Sequence, residues 1–131
     1  MACIKPSLEL FIEAGGVRMT RHKSVLITGY LEQLLHKMRI TPMAAITDGS
    51  HGVEIVTPAD PTQRGCQLSL RVVKKGGGAA MTMKELETRL EASGATVDTR
   101  EPDIIRVSPA PLYNSYRDVH LFCKLLKEAL A

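Results

Sequence analysis

The stretch from Ile104 to Tyr116, IIRVSPAPLYNSY, restricts the fold of this chain more than any other. Its first half alternates as a strand does, with Ile105 and Val107 on one face and Ile104, Arg106 and Ser108 on the other. Pro109 and Pro111 end strand pairing and stiffen the exit. Ser115 and Asp118 then form an S-x-x-D start to a helix that runs to Leu130. The strand face shared with Arg106 must reach water or an anion, because burying an unpaired guanidinium costs several kcal/mol in order-of-magnitude terms. Two readings of Arg106 follow from spacing alone. It is either a surface arginine that covers the sheet edge or pairs with Asp103 or Glu101, or a fixed fork suited to gripping a carboxylate in bidentate fashion.

Upstream of that stretch the chain divides into short elements. Pro6 and Ser7 open a helix with Leu8, Leu10, Phe11 and Ile12 apolar, and Gly15-Gly16 stops or bends it. A longer helix is expected from about Val17 to Met38. Its apolar stripe runs through Leu26, Tyr30, Leu34 and Met38, widened by Ile27 and Leu31, with Arg18, Arg21 and Glu32 on the other side. The basic cluster Arg18, Arg21, His22 and Lys23 reads as a solvated helix face, with anion binding as the alternative. Arg39 to His51 is expected to be a loop, followed by a β-branched strand over Val53–Thr57 and a turn at Pro58, Asp60 and Pro61. Cys66, Leu68, Leu70 and Val72 alternate with Gln67, Ser69 and Arg71, the pattern of an antiparallel strand with one wet face.

Gly76-Gly77-Gly78 lacks the spacing of a phosphate-binding loop and reads as a connector. Thr82 and Glu85 make a T-x-x-E capping box for a helix ended by Gly94. A short strand over Ala95–Thr99 and a turn at Glu101-Pro102-Asp103 lead back to the Arg106 strand. In the last helix Val119, Phe122, Cys123, Leu126 and Leu130 share one side. The sum is an α+β fold, a small and mostly antiparallel sheet with helices packed on one face, forming a single domain over residues 1–131.

Composition excludes several function classes. A net charge of +3 and 4% aromatic residues give neither a phosphate footprint nor a base-stacking platform, so no nucleic-acid partner is expected. No apolar run approaches the roughly 20 residues of a membrane helix, and the first residues lack a signal-peptide pattern. Cys3, Cys66 and Cys123 are odd in number and lack C-x-x-C spacing, and two of them fall at apolar strand and helix positions. They read as reduced core residues of a cytoplasmic protein. The histidines His22, His36, His51 and His120 show no metal-ligand spacing.

Three blocks carry a resemblance. Arg106-Val107-Ser108-Pro109, Pro111-Leu112-Tyr113-Asn114-Ser115 and Asp118-Val119 resemble the C-terminal signature of kynureninases. Thr57-Pro58 with Arg64-Gly65-Cys66-Gln67-Leu68 is similar to the strand pair before that signature. Ser7-Leu8-Glu9, Lys23-Ser24 and Thr28-Gly29-Tyr30-Leu31-Glu32 are similar to the long helix entering the family's small domain. Ser108 and Ala110 depart from the alanine and valine expected there, which affects local packing rather than the assignment.

The resemblance implies a pyridoxal-phosphate-dependent hydrolase of tryptophan catabolism, in the kynurenine pathway to NAD biosynthesis. It cleaves L-kynurenine or 3-hydroxykynurenine to anthranilate or 3-hydroxyanthranilate and L-alanine. It implies that Arg106 is the substrate-carboxylate ligand, with Tyr113 and Asn114 as turn residues that support it. It also implies that the Schiff-base lysine and phosphate-binding groups lie in a large domain upstream of Ser7, so that this chain alone is inactive and its parent is a homodimer. Lys74 and Lys75 stand at a strand end without the apolar enclosure a Schiff-base lysine needs. By the same resemblance, part of the apolar stripe on the Val17–Met38 helix is meant for a neighbour. Two competing readings are the small domain of another pyridoxal-phosphate enzyme, such as a cysteine desulfurase or aminotransferase, and a non-catalytic docking module.

Overall fold

Two periodicities, near 3.6 for helices and 2 for strands, meet in one apolar core. The computed structural model describes residues 4–38, 40 and 49–131. In chain order the elements are α1 (Ile4–Glu13), α2 (Gly16–Lys37), β1 (His51–Ile55), β2 (Leu68–Lys74), α3 (Met83–Ala92), β3 (Asp98–Arg100), β4 (Ile104–Val107) and α4 (Tyr116–Leu130). The strands form one sheet in the order β1-β2-β4-β3, and every pairing is antiparallel. This is the expected α+β architecture. Most of the expected loop from Arg39 to His51, and Cys3, lie outside the described residues.

Register decides which face of the sheet is buried. Val53 stands opposite Val72, Leu70 opposite Ile105, and Leu68 opposite Val107. All six are buried in one cluster with Ile27, Leu31 and Leu35 of α2, Leu86 and Leu90 of α3, and Cys123 and Leu126 of α4. Helices therefore cover one face. The other carries Glu54, Arg71, Ser69, Ile104, Arg106, Asp98 and Arg100, each half-buried or exposed.

Strand ends differ from the sequence expectation for local reasons. The Thr57 hydroxyl accepts from Ser69 N–H at 2.8 Å, so a side chain takes over a donor that would otherwise extend the ladder, and β1 stops at Ile55 rather than Thr57. At its other end β1 reaches back to His51. A Cβ on Gly52 would lie 2.6 Å from the Ile40 carbonyl oxygen, which accepts from Val53 N–H at 2.9 Å, so only glycine fits that approach. β2 begins at Leu68, which leaves Cys66 half-exposed before the strand instead of in the core. The third strand covers Asp98–Arg100 rather than Ala95–Thr99.

The long helix turns its stripe differently from the expectation. Thr20, Ser24, Ile27, Thr28, Leu31, Leu34 and Leu35 are buried, whereas Leu26 is 50% exposed. Small polar residues occupy the inward face of the first turns, and the Thr20 hydroxyl is satisfied by the Gly16 and Val17 carbonyls, both at 3.1 Å. A purely apolar search therefore misses the start of the stripe. Tyr30 meets Tyr116 edge to face, with ring centroids 5.3 Å apart, tying α2 to the start of α4. α1 buries none of its residues, and Ile4, Leu8, Leu10 and Ile12 remain exposed. Between these helices Gly15 has φ of 90°, and a Cβ there would come within 2.8 Å of Met19 Cγ.

The connection from β1 to β2 is held to α2 by two arginines. Arg64, its side chain only 4% exposed, reaches Glu32 at 2.5 Å and Pro58 O at 3.2 Å, while Arg21 donates to Pro61 O and to Ser24 Oγ. Arg21 thus serves the fold rather than the solvated basic face expected for it. Asp60 caps the 3-10 turn at Pro61–Gln63. Thr82 and Glu85 form the expected capping box on α3, and Gly94 ends that helix with φ of 83°.

Inside the core the Thr28 hydroxyl is buried with no hydrogen-bond partner. An unsatisfied hydroxyl costs roughly 1 to 3 kcal/mol, and valine has the same branched shape without it. Thr28→Val is expected to raise unfolding stability by about 1 kcal/mol in urea titrations. A loss of stability would show that the hydroxyl has a partner in solution.

Candidate functional site

Arg106 sits on β4 between Ser69 of β2 and Asp98 of β3, its partners in register. Ile105 and Val107 on either side point into the core, so alternation turns Arg106 to the open face. Its Nε donates to Gln67 Oε1 at 3.3 Å, and its Nη2 lies 3.2 Å from Asp98 Oδ2. The other Asp98 oxygen accepts from Arg100. The sequence offered Asp103 or Glu101 as partners. Instead Asp103 lies 3.5 Å from Arg71 Nε, and Arg71 also reaches Glu54 at 3.3 Å. The register brings Asp98 directly opposite Arg106, while Asp103 lies in the turn beside Arg71.

At 39% exposure the Arg106 side chain is neither free in solvent nor sealed. It lines a cleft of about 510 Å³, with Leu31, Val97 and Phe122 on the apolar side and Asp98, Ser108, Asn114 and Asp118 on the polar side. That volume falls within the range of small-molecule sites, and an apolar wall facing one guanidinium suits a ligand with a ring at one end and an anion at the other.

The loop after β4 is rigid for reasons visible in its hydrogen bonds. Asn114 closes it, its Oδ1 accepting from Ala110 N–H at 2.8 Å and its N–H donating to Ala110 O at 2.9 Å. Pro109 is buried. Ser115 and Asp118 then make a reciprocal cap, in which Asp118 Oδ2 accepts from Ser115 N–H at 2.7 Å and from its hydroxyl at 2.9 Å. These bonds, the backbone one first, hold the Asp118 carboxyl below the usual carboxylate range. The Tyr113 ring is 77% exposed, and Tyr113 contributes its backbone N–H, which donates to Ala110 O at 3.3 Å.

Other candidates separate cleanly. Burial pushes the Cys123 thiol up to about 12, as expected for a core cysteine, whereas Cys66 lies 3.4 Å from Ser108 Oγ beside the strand end. Gly76, Gly77 and Gly78 all have positive φ in a turn after β2. Among the described residues no group of histidine, cysteine or carboxylate side chains is placed to hold a metal ion, and no helix is long and apolar enough to cross a membrane. Every lysine among the described residues is at least partly exposed, and none lines the cleft. Sequence reasoning missed Gln67 and Asp98. Gln67 carried a weak signal, as a wet-face position two residues before the one paired with Arg106; Asp98 carried none, because only strand register brings it there.

These features define a small α+β domain that presents one arginine, braced from both neighbouring strands, at the mouth of a half-apolar cleft. Comparison with known proteins gives the family. The Kynureninase C-terminal domain matches residues 20–126, and the chain belongs to that family. It is 44% identical to a kynureninase of Dictyostelium discoideum over 126 residues, covering 95% of this chain and 24% of that protein. Kynureninase 1 of Chaetomium globosum is 46% identical, with 95% of this chain and 23% of the relative covered. A kynureninase of Xanthomonas euvesicatoria is 46% identical, with 93% and 25% covered. The chain thus spans about a quarter of the length of the curated relatives it matches. These matches favour the kynureninase resemblance over the cysteine desulfurase and docking-module readings.

Two measurements test this geometry. Because the folded pKa of Asp118 lies below its unfolded value, its contribution to stability is fully present above the unfolded value near 3.8 and is lost as pH falls through the folded one. Wild type should therefore exceed Asp118→Asn in stability at pH 7, and the gap should close below about pH 4. A gap independent of pH would deny the carboxylate its capping role. Alkylation at pH 8 followed by peptide mapping should modify Cys66 and spare Cys123 until urea is added.

Proposed function

We propose that this chain serves as the C-terminal domain of a kynureninase-type hydrolase and that Arg106 grips the α-carboxylate of its amino-acid substrate, L-kynurenine or 3-hydroxykynurenine. The reaction is hydrolysis of a carbon-carbon bond, releasing anthranilate or its 3-hydroxy form and L-alanine. The observation that carries this reading is the Arg106 guanidinium, held from its two flanks by Gln67 and Asp98 and lining a cleft with an apolar wall. A charge-assisted pair with a carboxylate contributes on the order of 1.5 to 3 kcal/mol, and its two parallel bonds fix the direction of the amino acid as well as its presence. The apolar side of the cleft, at Leu31, Val97 and Phe122, is suited to the aromatic end.

The family implies pyridoxal phosphate. The described residues do not fit that cofactor, since among them no lysine is enclosed and none faces the cleft. We assign its lysine and phosphate ligands to the part of the relatives' length that this chain does not span, and on that assignment the chain alone does not turn over substrate. A homodimeric parent belongs to the same proposal, as does a cytoplasmic one, which suits the unpaired thiols of Cys66 and Cys123.

A chimera tests the assignment: the C-terminal quarter of the Dictyostelium relative is replaced by this chain and anthranilate release from L-kynurenine is followed. Turnover is expected. Arg106→Lys in that chimera should raise KM about tenfold or more and leave the cofactor absorbance unchanged, since a point charge cannot reproduce the fork. An unchanged KM in an active chimera would remove Arg106 from substrate binding.

A further inference from the structure

The guanidinium has two hydrogen-bonding edges. One carries Nε and Nη2, the other Nη1 and Nη2, and a carboxylate can be gripped in bidentate fashion along either. In this protein Gln67 Oε1 accepts from Nε, and Asp98 Oδ2 lies at ion-pair distance from Nη2. Among the described residues Nη1 has no partner. The arginine is thus braced through Nε and Nη2, and Nη1 with the remaining Nη2 hydrogen is left for a ligand.

The two braces differ in what else they do. Asp98 also holds Arg100 across the same strand face, so it belongs to a surface ion network. Gln67 makes no other side-chain hydrogen bond among the described residues. It is half-buried at the entrance to β2, where the Ser69–Arg106 register sets it diagonally across from the arginine on the same face. The Nε–H can only donate, so the amide must present its oxygen, and the NH2 is turned away. A neutral acceptor at this place aligns the guanidinium plane without adding a second negative charge to the one Asp98 already brings to Nη2. A glutamate there would align the arginine equally well and repel the ligand.

We infer that Gln67 is a positioning residue for Arg106, setting the plane of the guanidinium so that its Nη1/Nη2 edge meets the substrate carboxylate. This rests on the carboxylate reading given above. It adds a role for the Arg64–Glu32 clamp as well, because that buried pair secures the segment from which Gln67 projects.

The test uses the full chain and the arginine Nε–H signals in nuclear magnetic resonance, with Arg106 identified by the signal lost in Arg106→Lys. In wild type the Arg106 Nε–H should be ordered and slow to exchange. Gln67→Met keeps the length and removes the acceptor. It should leave the backbone spectrum intact, bring Arg106 Nε to the mobility of the exposed Arg18, and raise the KM of the active chimera for L-kynurenine at least threefold. Gln67→Glu should restore the order of Nε, a rescue that a packing role for Gln67 would not give. An Arg106 signal that stays ordered in Gln67→Met overturns the role of Gln67. An ordered wild-type signal combined with an unchanged KM in the Arg106→Lys chimera overturns the carboxylate reading of Arg106 instead, so the two failures are distinguishable.

Discussion

Everything at the cleft depends on the register between β2 and β4. Leu68 faces Val107 and Leu70 faces Ile105, and these pairs enter the core together with the helices above them. Because side chains alternate with a period of two, a slip of one residue would drive Arg106 into that core and expose Ile105. An unpaired buried guanidinium costs several kcal/mol, and a lost Ile105 contact a comparable amount, so the register is set by the core and the arginine is oriented as a consequence. The guanidinium therefore takes its orientation from apolar packing, which is stiffer than any surface ion pair.

That packing would orient the strand but not the side chain, which has four rotatable bonds beyond its Cα. The remaining freedom is removed by neighbours on both flanking strands, Gln67 and Asp98, and by the buried Pro109 and capped Ser115 that fix the chain just beyond β4. The open sheet face is otherwise covered by pairs such as Arg71 with Glu54 and Asp103, exposed enough that each contributes little to stability. They keep a bare antiparallel sheet solvated on the face without helices.

Several of these features were readable in the sequence because each is a local pattern. T-x-x-E and S-x-x-D gave both helix starts, Gly94 gave a helix end, and the alternation of Ile105, Arg106 and Val107 gave the face on which the arginine lies. What escaped depends on contacts between distant segments. Asp98 meets Arg106 through the β3–β4 register, so nearness in sequence favoured Asp103 and Glu101 wrongly. Cys66 looked like the first inward residue of a strand that in fact begins at Leu68. Leu26 looked inward because Thr20 and Ser24, which are buried, do not register as apolar. The start of β1 was misjudged for a related reason: Gly52 has no propensity for a strand, yet the Ile40 carbonyl passes so close that nothing larger fits.

The strength of the arginine as a clamp depends on how much water surrounds it. Two unit charges 4 Å apart attract by about 1 kcal/mol in bulk water and about 4 kcal/mol at the effective dielectric of roughly 20 found near protein surfaces. With more than a third of its side chain exposed, Arg106 lies closer to the first limit. In the proposed carboxylate role this geometry would orient the ligand well and hold it weakly, and only further enclosure of the cleft would raise the affinity without moving the arginine. The same chain leaves Ile4, Leu8 and Ile12 of α1 and Val17 and Met19 of α2 in solvent, an apolar surface with no covering element among the described residues. A half-exposed guanidinium and an uncovered apolar surface are two expressions of one property: among the described residues the core holds the arginine in place and leaves the dielectric around it high.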